Sequence, residues 1–114
     1  MSRDPLTHIQ DILDAIDRIL RYTEGMDCDA FSRDEKTQDA VIRNLEVIGE
    51  PARALSEEFR EAVHVIPWRK VIALRNVLIH EYFGINLRII WDVVTEKLPE
   101  IRAVCANALL ENPK

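Results

Sequence analysis

Apolar side chains recur every three or four residues along most of the chain, which is the spacing of one face of an α-helix. The first such stripe follows Asp4 and Pro5, a capping acceptor and a first-turn proline, and ends near Gly25. Its apolar positions are Leu6, Ile9, Ile12, Leu13, Ile16, Ile19 and Leu20. The pattern predicts an N-terminal amphipathic helix, followed by a connection through "MDCDAFSRDE".

A second stripe predicts a helix that begins near Ser32, which forms a capping-box pattern with Glu35, and ends near Leu55. Its apolar positions are Val41, Ile42, Leu45, Ile48, Ala52 and Leu55. Gly49 and Pro51 interrupt this helix, so a kink or a close contact with another helix is expected there.

Two more stripes follow, separated by "FGIN". Pro67 can open the third helix, and Asn86 can cap the fourth. The positions of the third helix expected in the core are Val71, Leu74, Val77 and Leu78. Pro99 is expected to end or bend the fourth helix before a last segment. With three glycines and no alternating strand pattern, the sequence predicts an all-α, four- to five-helix up-and-down bundle, a single domain over residues 1–114.

Composition narrows the class of protein. The chain is 47% hydrophobic and 31% charged, which is typical of a soluble globular domain, and its net charge of −5 opposes broad adhesion to nucleic acid while permitting a local basic site. No apolar run approaches the roughly 20 residues that cross a bilayer, and the N-terminus lacks a signal-peptide core, so a cytoplasmic location without membrane contact is expected. Cys28 and Cys105 are isolated, which favours small buried or half-buried thiols over a disulfide or metal site.

The third helix carries an unusual group of polar side chains. In "RNVLIHEY", Arg75, Asn76, His80 and Tyr82 fall on the side away from the predicted core stripe. Asn76 and His80 are four residues apart and therefore neighbours, whereas Arg75 and Tyr82 lie two turns apart. By spacing alone, a helix-end histidine that interacts with the helix dipole and a solvated arginine explain these residues at least as well as a site does.

The order of these polar residues along the helix favours a functional site. "RNVLIHEY" at 75–82 resembles the signature of the HepT-like toxin branch of the HEPN superfamily: arginine, a polar residue, three more positions, histidine, any residue, tyrosine. The segments at 40–50 and 66–94 are also similar to that family. Ala73, Pro51 and Asn86 depart from its usual glycine, alanine and aspartate, but none of them belongs to the motif.

The resemblance implies a metal-independent endoribonuclease, without a cofactor, that is the toxin of a type VII-like toxin–antitoxin system. In such an enzyme Arg75 would hold the RNA phosphate, His80 would act as acid or base, and Asn76 would orient the histidine or bind the phosphate. The resemblance also implies a homodimer with facing motif helices, and Ile72 and Ile79 give that face apolar surface. No HExxH, Walker or carboxylate-cluster pattern indicates a metal site.

The family further implies a partner and a modification. Its antitoxin, the minimal nucleotidyltransferase MntA, resembles an enzyme that transfers AMP to the tyrosine of the motif, here Tyr82. Attached AMP would add bulk and negative charge where the RNA phosphate must bind. The alternative for Tyr82 is an aromatic residue that packs at the end of the third helix.

Other candidates have simpler explanations. His8 and His64 are expected to be surface or local capping residues, and Trp68 and Trp91 core residues. Arg43 is either solvated or close enough to reach the site.

Two functions without catalysis stay open. One is a nucleotide-binding or adaptor subunit that partners a minimal nucleotidyltransferase, in which Arg75 binds phosphate without cleavage. The other, weaker hypothesis is a plain dimeric interaction protein.

Overall fold

The computed structural model describes residues 4–80 and 84–111, and this part of the chain is helical without a β-strand. The helices are α1 (Pro5–Tyr22), α2 (Cys28–Arg33), α3 (Glu35–Ala54), α4 (Glu57–Ala62), α5 (Trp68–His80), α6 (Leu87–Asp92) and α7 (Leu98–Glu111), and a π-helical turn at Val93–Lys97 joins the last two. The predicted all-α fold is confirmed.

The core forms around α3, because α1 and α5 both pack against it and α7 packs against α1. The first predicted stripe is confirmed: Ile9, Ile12, Ile16 and Ile19 of α1 are fully buried. Their spacing places all four on one face, which faces α3 and α7. Within the described ranges, none of the helices combines the length and apolar character needed to span a bilayer.

Both tryptophans lie in the core, as predicted. Trp68 is buried, and its indole N–H donates to the Val63 carbonyl at 3.0 Å. The half-buried ring of Trp91 lies 5.2 Å from the ring of Phe31. Cys105 is buried too, and burial raises the pKa of its thiol to about 12, so the thiol stays neutral.

The segment predicted as a connection contains α2, so that prediction was wrong. The Asp27 carboxylate caps this six-residue helix by accepting from the Ala30 N–H at 2.8 Å, and Phe31 is buried beneath it. The predicted cap of α3 was also wrong, because Ser32 belongs to α2. Asp34 caps α3 instead, and the Thr37 N–H that it accepts at 3.0 Å lowers the pKa of its carboxyl.

The C-terminal helices begin as predicted but continue further. Asn86 caps α6 by accepting from the backbone N–H groups of Arg88 and Ile89 at 2.9 and 3.3 Å. Pro99 does not end the helix, because the π-helical turn leads directly into α7. A proline ring clashes with the carbonyl four residues before it, here Thr95, and the wider π-helical turn that includes Thr95 accommodates the ring.

Helix α5 is rotated relative to its predicted orientation. Leu78 is buried and Val71 and Leu74 are half-buried, but Val77, which was predicted in the core, is 47% exposed. The reason is that α5 packs chiefly against α3, so its buried face is centred closer to Arg75 than the apolar positions alone suggest. Val77 therefore faces outward, on the same side as Asn76 and His80.

Candidate active site

A cleft of about 510 Å³ lies between α1, α3 and α5, and Arg75 lines it. Since α1 and α5 both pack against α3, the central helix forms the floor and the other two form the walls. Ile79, one turn after Arg75, lines the same cleft. The motif helix thus contributes both a cation and an apolar side chain to this cleft.

Gly49 allows the close approach of α3 and α5 at the cleft. A Cβ atom at this position would overlap with Cβ and Cγ of Arg75, so only glycine leaves room for the arginine stem. The close helix contact predicted at Gly49 is therefore confirmed. Pro51, two residues later, is buried within α3, and the helix continues past it to Ala54.

The Arg75 guanidinium is fixed by two neighbours. It forms an ion pair with the Glu50 carboxylate through Nη2, and its Nη1 donates to Oδ1 of Asn76 at 3.0 Å. Its Nε is buried without a hydrogen-bond partner. A guanidinium has five N–H donors, so one donor on each terminal nitrogen is left for a ligand. The arginine is held in one orientation with capacity to bind an anion.

Glu50 was not singled out in the sequence. It lies 25 positions before Arg75 on a different helix, so the spacing of the motif gives no sign of the pair. The only signal available was its place at the end of "AVIRNLEVIGE", directly after Gly49.

Asn76 and His80, unlike Arg75, do not line the cleft. Asn76 and His80 are exposed on the outer side of α5, and His80 is the last residue of that helix. The structure brings Arg75 and Asn76 into contact, whereas His80 faces away from the helix bundle. Tyr82 lies outside the described residues.

His8 was predicted to be a surface or local capping residue, and this was wrong. It is only 8% exposed, it lines the same cleft as Arg75, and its Nδ1 has no hydrogen-bond partner. The first turns of α1 lie beside the last turns of α3, where Pro51 and Ala54 line the cleft with it. His64, in contrast, is exposed and its Nδ1 lies 3.2 Å from the Glu61 carbonyl, which confirms a local capping contact.

Two more arginines line the cleft. Arg43 of α3 and Arg18 of α1 both line the cleft. The side chain of Arg43 is 74% exposed, and its Nη1 lies 3.6 Å from Oε2 of Glu46. Three arginines therefore line one cleft, together with four carboxylates, those of Asp11, Asp14, Glu46 and Glu50. Charges of both signs are thus interspersed, so the cleft is close to neutral as a whole and positive only locally.

The all-α bundle, with Arg75 and His80 five residues apart on one helix, agrees with the HEPN class. This chain belongs to the HepT-like family of ribonucleases, since the family described as "Ribonuclease HepT-like" matches residues 12–108. The predicted family is confirmed.

Relatives in archaea and bacteria agree with this assignment. A protein of Methanocaldococcus jannaschii named as a "Putative RNase" is 46% identical over 86% of this chain and 81% of its own length. A "Probable ribonuclease HepT" of Thermococcus cleftensis is 38% identical over 90% of this chain and 93% of its own. A "Putative RNase" of Caldanaerobacter subterraneus is 35% identical over 87% and 88%. No solved structure shows a significant match to the chain.

Proposed function

We propose that this protein is a metal-independent endoribonuclease, the toxin of a type VII-like toxin–antitoxin system, with Arg75 and His80 as its catalytic residues. The observation that carries the proposal is Arg75 itself: Glu50 and Asn76 hold its guanidinium at the edge of a cleft, and His80 follows five residues later on the same helix, in a member of a ribonuclease family. An orientation fixed before the substrate binds is what transition-state stabilisation needs.

The proposed reaction uses the RNA's own 2′-hydroxyl as nucleophile. A base removes the 2′-OH proton, the oxygen attacks the adjacent phosphorus, and an acid protonates the departing 5′-oxygen, so the products are a 2′,3′-cyclic phosphate and a 5′-hydroxyl. Histidine can fill either role near neutral pH. Arg75 would stabilise the negative charge that builds up on the phosphoryl oxygens.

Glu50 and Asn76 serve as positioning residues in this proposal. They restrict the arginine's rotamers, which removes part of the entropy that a long side chain loses on binding phosphate. The Glu50 carboxylate also offsets some of the positive charge of Arg75, so the pair orients the guanidinium but lowers the net positive charge that the phosphate meets.

Base and acid both have to be present in one site, and each chain supplies one motif histidine. A twofold dimer in which two α5 helices face each other would bring two copies of His80 and two of Arg75 together. Exposed apolar surface supports this assembly: Ile79 is 42% exposed on the motif helix. Half-buried Ile72 extends this surface by two turns.

The dimer is tested by Ile79→Asp. Wild-type protein is expected to sediment as a dimer and to cleave labelled RNA in EDTA, leaving 2′,3′-cyclic ends. The variant is expected to sediment as a folded monomer with cleavage reduced to background, because a carboxylate buried at an apolar interface is costly. Analytical ultracentrifugation decides the assembly state, and loss of cleavage alone does not, because Ile79 also lines the cleft that contains Arg75.

Leu110→Asp is the matched control, since Leu110 is exposed on α7, a helix other than α5, and the change is equivalent. It should remain a dimer with full activity. A wild-type monomer that cleaves RNA would disprove the composite site, and cleavage that stops in EDTA would disprove the metal-independent mechanism.

We further propose that a cognate MntA-like nucleotidyltransferase silences the enzyme by transferring AMP to Tyr82. The phenol oxygen attacks the α-phosphorus of ATP, pyrophosphate leaves, and a phosphodiester to tyrosine forms. Tyr82 comes two residues after His80, so the attached group would lie near the reacting phosphate. Its negative charge would compete with RNA for Arg75.

Co-expression with the transferase, followed by intact-mass measurement, tests the modification. Wild-type protein should gain one or more AMP masses and lose activity. Tyr82→Phe should keep most of its activity, because the phenol takes no part in the proton transfers, and should gain no mass. Tyr22→Phe is the control, because Tyr22 ends α1 and is the chain's other tyrosine; it should be modified and silenced like wild type. Wild-type protein that is inhibited but unmodified would contradict the proposal and indicate simple occlusion.

One observation favours the alternative of a non-catalytic nucleotide-binding or adaptor subunit. The Arg75 charge is already offset by Glu50, and three more carboxylates line the cleft. If purified dimer binds nucleotides but leaves RNA intact, this second function replaces the first.

A further inference from the structure

We propose that Arg18 and Arg43 form a second phosphate-binding site in the cleft, which holds an RNA backbone phosphate one or two nucleotides from the one that is cleaved. The inference rests on the proposed ribonuclease function and adds a substrate contact to it. It assigns a role to Arg43, for which the sequence alone did not decide between a solvated side chain and one that reaches the site.

Arg18 is held in a built arrangement. Its Nε donates to Oδ1 of Asn44 at 2.8 Å, and Nδ2 of Asn44 donates to the Ala40 carbonyl at 2.9 Å. Asn44 is buried, and its amide uses the nitrogen to bond the backbone and the oxygen to bond Arg18. The asparagine therefore restricts the orientation of the arginine. Because Arg18 is bound through Nε, its two terminal nitrogens, which carry four N–H donors, are left for a ligand.

Arg43 completes the site from α3. Its side chain is 74% exposed, and the 3.6 Å separation from Glu46 is too long for a strong hydrogen bond, so this pair holds it only weakly. It immediately precedes Asn44, which positions Arg18, and both arginines line the cleft. One guanidinium is therefore fixed and the other is able to adjust, an arrangement that suits a phosphate with several acceptor oxygens.

The second site lies in line with the first. Arg43 and Glu50 are seven residues apart, which places them on the same face of α3 about 10.5 Å apart along its axis. Glu50 binds Arg75 directly. The two cationic positions are thus separated by about the reach of one or two nucleotides of an extended strand, and one cleft joins them.

The carboxylates of the cleft limit the strength of this site. Glu46 lies beside Arg43, and Asp14 accepts a hydrogen bond from Gln10 at 2.8 Å. Their repulsion of phosphate means that each arginine contributes a modest, salt-dependent amount. If the arginines served only to neutralise these carboxylates, their removal would change folding stability but not RNA affinity.

The test measures binding of a labelled single-stranded RNA as a function of salt, in a His80→Ala background that cannot cut it. Arg43→Gln is expected to weaken binding about fivefold, the size of one exposed charge contact. It should also reduce the slope of log K against log salt concentration by about 0.7. Arg43→Lys, which keeps the charge, should restore the slope.

Arg18→Lys serves as the second variant, because a lysine can still donate to Asn44 and so protect the fold. It should bind RNA more weakly than wild type, since a lysine that donates to Asn44 keeps two N–H donors where Arg18 keeps four, and it lacks the planar fork that binds two phosphate oxygens at once. Arg53→Gln is the matched control: Arg53 is exposed on the same helix but does not line the cleft, and binding should not change.

Cleavage kinetics distinguish a binding role from a catalytic one. In the otherwise wild-type enzyme, Arg43→Gln should raise KM about fivefold with kcat within twofold. An unchanged salt slope, or a loss confined to kcat, would overturn the second site. If wild-type protein cleaves no RNA but Arg43→Gln still lowers the slope, the ribonuclease proposal fails and the phosphate site stands.

Discussion

His80→Ala is expected to reduce RNA cleavage by about 10²- to 10⁴-fold, which is the usual cost of losing a general acid or base. Since His80 is exposed at the end of α5, its removal should leave the fold and the dimer unchanged. Arg75→Ala should cause a loss of similar size by removing the charge that stabilises the transition state. Initial rates, helical content and sedimentation are compared with wild type.

His64→Ala is the matched control, because His64 is also an exposed histidine and contacts only the nearby Glu61 carbonyl. Its activity should equal that of wild type. A His80→Ala protein that cleaves RNA at the normal rate would show that the proposed mechanism is wrong.

Gly49→Ala is expected to lower the free energy of unfolding and to remove most of the activity. Alanine at a helix position gains about 1 kcal/mol of helix propensity over glycine. Here, however, the added Cβ overlaps with the stem of Arg75, and such overpacking costs about 1–3 kcal/mol. Separating α3 from α5 to relieve the overlap would also carry Arg75 away from Glu50. Urea unfolding and RNA cleavage measure the two effects.

The double variant Gly49→Ala with Arg75→Gly separates packing from chemistry. It moves the glycine to the other side of the same contact, so the overlap is relieved and the two helix-propensity changes cancel. Stability should exceed that of the Gly49→Ala single variant but stay below wild type, because the packing of the Arg75 stem and its ion pair with Glu50 are lost, whereas activity should stay absent. A single Gly49→Ala protein with wild-type stability and activity would contradict this account of the α3–α5 contact.

The elements that the sequence predicted correctly depend on neighbouring residues. The isoleucines of α1 are buried because their spacing alone gathers them on one face. Asn86 caps α6 because its side chain reaches backbone N–H groups two and three residues later. Gly49 marks a close contact because glycine inside a long helix has few other uses.

The wrong predictions concern helices and side chains whose structure depends on contacts with distant parts of the chain. Helix α2 has six residues, too few for a helical period to show. Val77 is exposed because α3 is the main neighbour of α5, which no pattern within α5 reveals. The burial of His8 and the pair between Glu50 and Arg75 likewise depend on how α3 packs against its two neighbours. The roles of His80 and Tyr82 stay predictions.

The π-helical turn changes how the last 25 residues should be compared with other sequences. Ile90, Val94 and Leu98 are all buried, although residues eight apart on a regular α-helix point about 80° away from each other. The widened turn, in which the Leu98 N–H bonds to the Val93 carbonyl five residues back, absorbs that difference. A helical wheel drawn across residues 93–97 would therefore assign the faces of α7 incorrectly, and insertions or deletions of one residue among relatives are best aligned at this turn.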